Sequence, residues 1–251
     1  MYRSLAPLAV AAACSSSAST TASDASTSRP PVPTHADAAD DAPAAVDFTE
    51  TFSLGTQDTG HWMLTTSSMR PRLIDTSGGN PGGYLYAEVA TPFPTWYTES
   101  THYAPGSSDS VKRDSVFVGD YVSAAITHLT VDLDILQAGD WTTDRALTLE
   151  LRSWDKTNNS PGLVADCTLP DLADPPADWN HYDFAIAARS PAIPAGWTLT
   201  RGDGSPGTDD DWASLMHHID YVGFGYWKPG AGYSNGGTWN LGIDNIHITA
   251  Q

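Results

Sequence analysis

The stretch Gly78-Gly79-Asn80-Pro81-Gly82-Gly83-Tyr84-Leu85 decides the fold class of this chain. Glycine and asparagine tolerate positive φ and proline fixes φ at about −65°, so the first six of these residues predict a tight turn. Residues 84–89 read Tyr-Leu-Tyr-Ala-Glu-Val, an apolar and aromatic run that predicts a β-strand directly after it. Because no nucleotide-binding or catalytic motif contains such a turn, it indicates an all-β domain built on loops.

Alternation of apolar and polar residues supports this reading elsewhere in the chain. Leu147, Leu149 and Leu151 alternate with Thr148, Glu150 and Arg152, and residues 130–135 and 221–226 repeat the pattern. Each of these runs has one face for a core and one for solvent, as in antiparallel sheets. A short helical pattern occurs only at residues 210–218. We therefore predict a two-sheet antiparallel β-sandwich of jelly-roll type.

The last predicted strand changes phase part-way along. Leu241 and Ile243 lie in one phase, whereas Ile246 and Ile248 lie in the other. The change falls at Asp244-Asn245, which predicts a β-bulge that re-aims Asp244.

The N-terminal part of the chain predicts export rather than fold. Residues 1–14 combine Arg3 with a short apolar run that ends at Cys14, as in a bacterial lipoprotein signal whose cysteine is lipidated. An ordinary secretory signal is the alternative. Residues 15–45 are rich in Ser, Thr, Ala, Asp and Pro and predict a disordered tether. We expect a cell-surface or periplasmic lipoprotein that touches the membrane only through its lipid anchor.

Residues 46–251 are predicted to form one domain with a core of its own. Its single cysteine, Cys167, has no partner for an internal disulfide and is predicted to be buried in a strand. The formal net charge of −18 argues against nucleic acid as a partner, because phosphates require a basic surface. A neutral glycan or an envelope protein is compatible with this charge, and the oligomeric state stays open.

Several pieces, taken in order, resemble the laminin B (laminin domain IV) type of module found in bacterial secreted proteins. They are Phe52 with His61-Trp62, Pro71-Arg72, the Gly78–Leu85 stretch, Ala104-Pro105, Phe117-Val118-Gly119-Asp120, residues 129–135 and Gly242-Ile243-Asp244-Asn245-Ile246. The resemblance spans residues 48–248. It implies a galactose-binding-like jelly roll that acts in extracellular adhesion or scaffolding, without enzymatic activity of its own.

A structural Ca²⁺ site is the most specific site hypothesis. Galactose-binding-like carbohydrate modules often hold calcium where their first and last strands meet, and this chain offers Glu50 and Asp244 at those places. Calcium prefers six to eight oxygen ligands, so backbone carbonyls and Asp47 would complete the shell. The alternative is that Glu50 is solvated and Asp244 caps local backbone N–H groups. No organic cofactor is expected.

Aromatic residues in polar, proline-bounded segments are candidate glycan contacts, because sugars stack on flat rings. The candidates are Trp96, Tyr97, Tyr103, Trp227, Tyr233 and Asn235. Six other tryptophans, at positions 62, 154, 179, 197, 212 and 239, border predicted strands and are expected to fill the core.

No catalytic motif stands out in the sequence. It contains no His-Glu-x-x-His, and glutamate occurs only at positions 50, 88, 99 and 150. We expect a non-catalytic, surface-tethered binding or adhesion module. The alternatives are a polysaccharide-active hydrolase of jelly-roll fold, which two close carboxylates in a cleft would favour, and an envelope protein with protein partners only.

Overall fold

The structure is a computed structural model, and it describes residues 46–52, 62–64, 72–80, 82–89, 96–100, 115–137, 146–158, 160–169, 178–226 and 239–250. The signal, Cys14 and the predicted tether lie outside these residues. The strands are β1 (Asp47–Glu50), β2 (Met63–Leu64), β3 (Arg72–Gly79), β4 (Gly82–Val89), β5 (Trp96–Ser100), β6 (Ile126–Gln137), β7 (Leu147–Asp155), β8 (Ser160–Thr168), β9 (Asn180–Ala185), β10 (Trp197–Arg201), β11 (Tyr221–Tyr226) and β12 (Trp239–Ala250).

The strands form two antiparallel sheets of six strands each, as the sequence predicts for a jelly roll. The first sheet has the order β3-β4-β12-β6-β9, and β1 pairs with the C-terminal half of β12 beside β4. The second sheet has the order β10-β8-β7-β11-β5-β2. Consecutive strands repeatedly change sheet, for example from β5 to β6 and from β6 to β7. The faces that the sheets turn toward each other hold the core, and we call the opposite faces their outer faces.

The glycine-rich stretch forms the predicted turn in its tightest form. Gly79 pairs directly with Gly82, so only Asn80 and Pro81 connect β3 to β4. Gly78 and Gly82 have φ values of 101° and 104°, which residues with a Cβ rarely adopt. A Cβ on Gly79 would lie 2.4 Å from the carbonyl oxygen of Gly83. The glycines of this hairpin are therefore required by its backbone geometry.

The bulge predicted in the last strand is confirmed, and the hairpin docks on it. The register of β12 against β6 shifts after Asp244, and Asn245 has φ 45°. The Asp244 carboxylate accepts the backbone N–H groups of Asn80, at 2.7 Å, and of Asn245, at 2.8 Å. The side chains of Asn80 and Asn245 both donate to Asp132, at 3.1 and 2.7 Å. The two most distinctive motifs of the sequence thus form one polar network.

The core contains the apolar set predicted from alternation, together with several aromatic rings. Leu149 and Ile243 are fully buried between the sheets, and Cys167 is buried as expected. Trp62, Trp197 and Trp212 lie in the core, and Trp62 packs edge-to-face on Phe117 at 5.3 Å. Trp154 and Trp179 are only half-buried and lie outside the core. The prediction that these two tryptophans fill the core is wrong.

The one helix of the described residues is α1 (Asp209–Met216), close to the predicted span. Thr208 is its N-cap and forms a capping box with Asp211. Asp209, Asp210 and Asp211 form the first turn of this helix. Carboxylates are favourable there because they face the positive end of the helix dipole.

Candidate functional site on the outer face of the second sheet

Three adjacent strands bring polar side chains together on the outer face of the second sheet. Leu149 and Leu151 point into the core, so Glu150 and Arg152 of β7 lie on the other face. Across β8, Asp166 is the register partner of Glu150, and across β11 the partner of Glu150 is Gly223. The row Asp166–Glu150–Gly223 is thus fixed by strand register alone. Sequence alternation predicted the outward side of Glu150 but not its neighbours.

The polar groups of this face are buried rather than freely solvated. Glu150 is only 5% exposed and Thr148, beside it on the same face, is fully buried. The ring of Tyr221 lies over Gly223, where an added Cβ would be 2.8 Å from the tyrosine oxygen. The guanidinium of Arg152 in turn lies over the Tyr221 ring, 4.5 Å from its centroid. Glycine in a strand interior is typical of places where another group approaches the backbone closely.

Glu150, Arg152 and Asp166 form an electrostatically unusual cluster. Arg152 makes an ion pair with Glu150, and the carboxyl groups of Glu150 and Asp166 hydrogen-bond to each other. Burial raises the pKa of Glu150 to about 7, against the lowering effect of Arg152. Burial raises the pKa of Asp166 as well. Two carboxyls in contact cannot both ionise easily, so they share a proton near neutral pH.

Three atoms of this cluster are buried without a hydrogen-bond partner in the described part of the chain: Oε1 of Glu150, Nε of Arg152 and Oδ1 of Asp166. The first lies in the ion pair with Arg152, which leaves the Nε donor and the Oδ1 acceptor. A buried polar atom without a partner costs about 1–3 kcal/mol, and such atoms are rare unless they serve a ligand or a bound water. One donor and one acceptor of the cluster are therefore left without a protein partner in the described part of the chain, and a bound water or a polar ligand would satisfy them.

The predicted aromatic contacts are only partly placed by the structure. Trp96 and Tyr97 begin strand β5 rather than a loop, and Trp96 is paired with Gly225 of β11. Their strand therefore adjoins β11 in the sheet that carries the cluster. Tyr103, Trp227, Tyr233 and Asn235 lie outside the described residues. Their role in ligand binding stays a prediction.

The predicted calcium ligands do not face one another. Glu50 is paired with Ile246, whose side chain is in the core, whereas Asp244 lies on the outer face of the first sheet. Both Asp244 oxygens accept backbone N–H groups, which is the capping role given above as the alternative. Among the described residues, no group of three or more His, Cys, Asp or Glu side chains is arranged to hold a metal ion. Calcium binding by Glu50 and Asp244 stays a prediction.

The outer face of the first sheet carries a second group that the sequence analysis missed. Trp179 and Tyr84 meet there edge-to-face with ring centroids 5.4 Å apart, beside the half-buried Tyr86 and the carboxyl group of Asp134. Both rings lie against Gly242 in the central strand β12. The signal in the sequence was this glycine, which interrupts an otherwise bulky strand.

Comparison with known proteins finds solved structures to which this chain is similar. A scan against protein-family models and a search of curated proteins both give no match. Among solved structures, a family 11 carbohydrate-binding module from a cellulosomal cellulase of Clostridium thermocellum is similar at TM-score 0.46 and 12% identity, covering 83% of this chain and 96% of that one. The L4b domain of human laminin alpha-2 is similar at TM-score 0.46 and 12% identity, covering 82% and 98%. A family 22 carbohydrate-binding module of Clostridium thermocellum Xyn10B gives TM-score 0.40 and 13% identity, covering 81% and 91%.

At these identities and TM-scores the likeness carries no argument about function. Among the described residues, no helix is long and apolar enough to cross a membrane.

Proposed function

We propose that this protein is a non-catalytic module that binds a neutral glycan on the outer face of its second sheet. The observation that carries the proposal is the buried cluster of Glu150, Arg152 and Asp166, in which Arg152 Nε and Asp166 Oδ1 have no protein partner in the described part of the chain. A sugar hydroxyl both donates and accepts a hydrogen bond, so one ring with vicinal hydroxyls can satisfy both atoms at once. The planar guanidinium of Arg152 is suited to such a pair of neighbouring oxygens.

The surroundings of the cluster favour the same class of ligand. Tyr221 supplies an aromatic ring, which lies over Gly223 of β11 and against the guanidinium of Arg152. The net charge of −18 disfavours uronic and sulfated glycans, because their charges repel an acidic surface. Adhesion at a cell surface, through a lipid anchor at Cys14, completes the proposal as expected from the sequence.

The test is binding of neutral oligosaccharides of glucose, xylose, galactose and mannose to the full chain by calorimetry. We expect Arg152→Lys and Asp166→Asn to weaken the best ligand by about tenfold or more, since each removes a hydrogen bond to a charged group. Arg189→Lys is the matched control, because Arg189 is exposed and donates to the carbonyl of Val122 away from this face. The proposal is wrong if no oligosaccharide binds, or if both cluster variants bind like the unmodified protein.

A hydrolase is the second candidate, because the structure does bring two carboxyl groups close together. Glycosidases keep their two carboxyls at least about 5 Å apart, so that the sugar or a water fits between them. The direct hydrogen bond between Glu150 and Asp166 leaves no such space. We therefore expect no release of reducing ends from any bound oligosaccharide; release that is lost in Glu150→Gln would favour the enzyme.

A further inference from the structure

The aromatic pair on the outer face of the first sheet is held at the backbone of the central strand. A Cβ on Gly242 would lie 2.8 Å from Cη2 of Trp179 and 3.1 Å from Cδ2 of Tyr84. Only glycine at this position lets both rings reach the sheet. We call Trp179, Tyr84, Asp134 and Asp178 the tryptophan shelf.

The orientation of Trp179 is fixed by the glycine-rich hairpin. Its Nε1–H donates to the backbone carbonyl of Gly78 at 2.7 Å. The polar atom of the indole is therefore used within the protein, and the half-exposed ring surface remains for an outside group. A ring that is held in place and partly exposed loses little entropy when it binds a ligand.

Two carboxyl groups flank the rings. Asp134 is the register partner of Gly242 across β6 and β12, and Asp178 directly precedes Trp179. Burial, and then the nearby charge of Asp178, raise the pKa of Asp134. Within the described residues neither carboxylate forms an ion pair with a lysine or arginine. The shelf thus combines π surfaces with negative charge that no side-chain cation of the described chain neutralises.

We propose that the tryptophan shelf binds the protonated amine of an amino sugar. An ammonium group is attracted both to the face of an indole and to carboxylates. The C–H face of the same sugar can stack on the ring, so one residue of the glycan satisfies both features. A bare metal ion would require six or more oxygen ligands, which aromatic rings do not supply. This site lies on the opposite face of the sandwich from the neutral-glycan site and does not depend on it.

The experiment compares two trisaccharides that differ only in the charge of their amino groups. Calorimetry with the full chain, at about pH 6 where the amines are protonated, measures binding of the glucosamine trimer and of the N-acetylglucosamine trimer. We expect the charged trimer to bind about tenfold more tightly or better. Trp179→Ala and Asp178→Asn should each remove about tenfold of that affinity. Asp178 is exposed, so its variant tests the shelf even if Trp179→Ala unfolds.

The matched controls separate the shelf from the general attraction of an acidic protein for cations. Trp179→Ala leaves the net charge at −18, whereas Asp210→Asn changes the charge by one unit on the exposed side of α1, far along the chain from the shelf. Equal binding of the two trimers, or equal loss in Asp210→Asn and Asp178→Asn, would overturn the proposal. Because Arg152→Lys does not alter the shelf, failure of the neutral-glycan proposal would leave this result unchanged.

Discussion

At the scale of single residues, Glu150 connects stability with the proposed function. Its carboxyl group is buried against Asp166, and burial raises its pKa to about 7. Since its ordinary pKa is lower, ionisation of Glu150 above neutral pH destabilises the folded state. A buried carboxyl group that lowers stability is typical of a functional site. We propose that the function of Glu150 is glycan binding.

Glu150→Gln should therefore stabilise the protein while it weakens glycan binding. The amide keeps the shape of the side chain, can donate to Asp166 and cannot ionise. At about pH 8 we expect a gain of about 1 kcal/mol, or 2–4 °C in Tm, by thermal melting. Asp155→Asn, at the last residue of β7, is the control and should bring no gain. A lower Tm for Glu150→Gln at this pH would show that the ionised carboxylate stabilises the fold.

At the scale of elements, the β3–β4 hairpin is fixed by the absence of side chains. A Cβ on Gly79 would meet the carbonyl oxygens of Gly83 and Gly82 and, at 2.9 Å, the Asp244 carboxylate. We predict that Gly79→Ala lowers stability by about 2–3 kcal/mol, because backbone atoms must move. Gly204→Ala is the matched control: its φ is 83° but its Cβ would meet nothing within 4 Å, so the cost should be about 1 kcal/mol. Similar Tm values for the two variants would contradict this view of the hairpin.

The hairpin and the bulge were predictable because each has a local cause in the sequence. Adjacent residues of the sequence are enough to recognise Gly78 and Gly82 as turn residues and to see the phase change at Asp244-Asn245. Their contact is not local, since Asn80 and Asp244 are separated by most of the domain. Period-two alternation also placed Asp132 and Glu150 outward but implied solvent, whereas both are buried. Burial of the outer face of a sheet by tertiary contacts leaves no periodic signal in the sequence.

Trp179 shows the same limit for a candidate site. A tryptophan beside a strand is usually core, and only the contact of Trp179 with Gly242 reveals its half-buried position on the outer face. The cluster of Glu150, Asp166 and Gly223 likewise depends on how β7, β8 and β11 align. Sequence alone gives the faces of strands, but not which strands are neighbours.

At the scale of the whole molecule, buried carboxyl groups predict stability that decreases as pH rises. The folded-state pKa values of Glu150 and Asp244 are raised to about 7 and about 6, in both cases chiefly by burial. Their favourable contribution is complete below their ordinary pKa values and is lost as pH rises to about 7. Asp120 acts oppositely: hydrogen bonds from Ser123 and His217 lower its pKa to about 2, against the effect of burial, so its contribution is lost in strong acid. We expect the highest Tm at about pH 4 and a lower one at about pH 8; a Tm that rises steadily over this interval would contradict the assignment.

The calcium prediction belongs to the whole molecule too, because it joins the first and last strands. If Glu50 and Asp244 hold Ca²⁺, addition of millimolar calcium after EGTA treatment should raise Tm, and Asp244→Asn should abolish the rise. The hydrogen bonds that Asp244 already accepts from two backbone N–H groups favour an unchanged Tm. An unchanged Tm would leave Asp244 with its capping role alone.

The central claim is that the outer face of the second sheet binds a neutral glycan through the Glu150–Arg152–Asp166 cluster. Its most direct test is calorimetric titration of the full chain and of Arg152→Lys with the oligosaccharide panel. The claim predicts saturable binding to at least one neutral oligosaccharide, weakened about tenfold or more in Arg152→Lys and unchanged in Arg189→Lys. Absence of binding across the panel, or equal affinity in both variants, would contradict it.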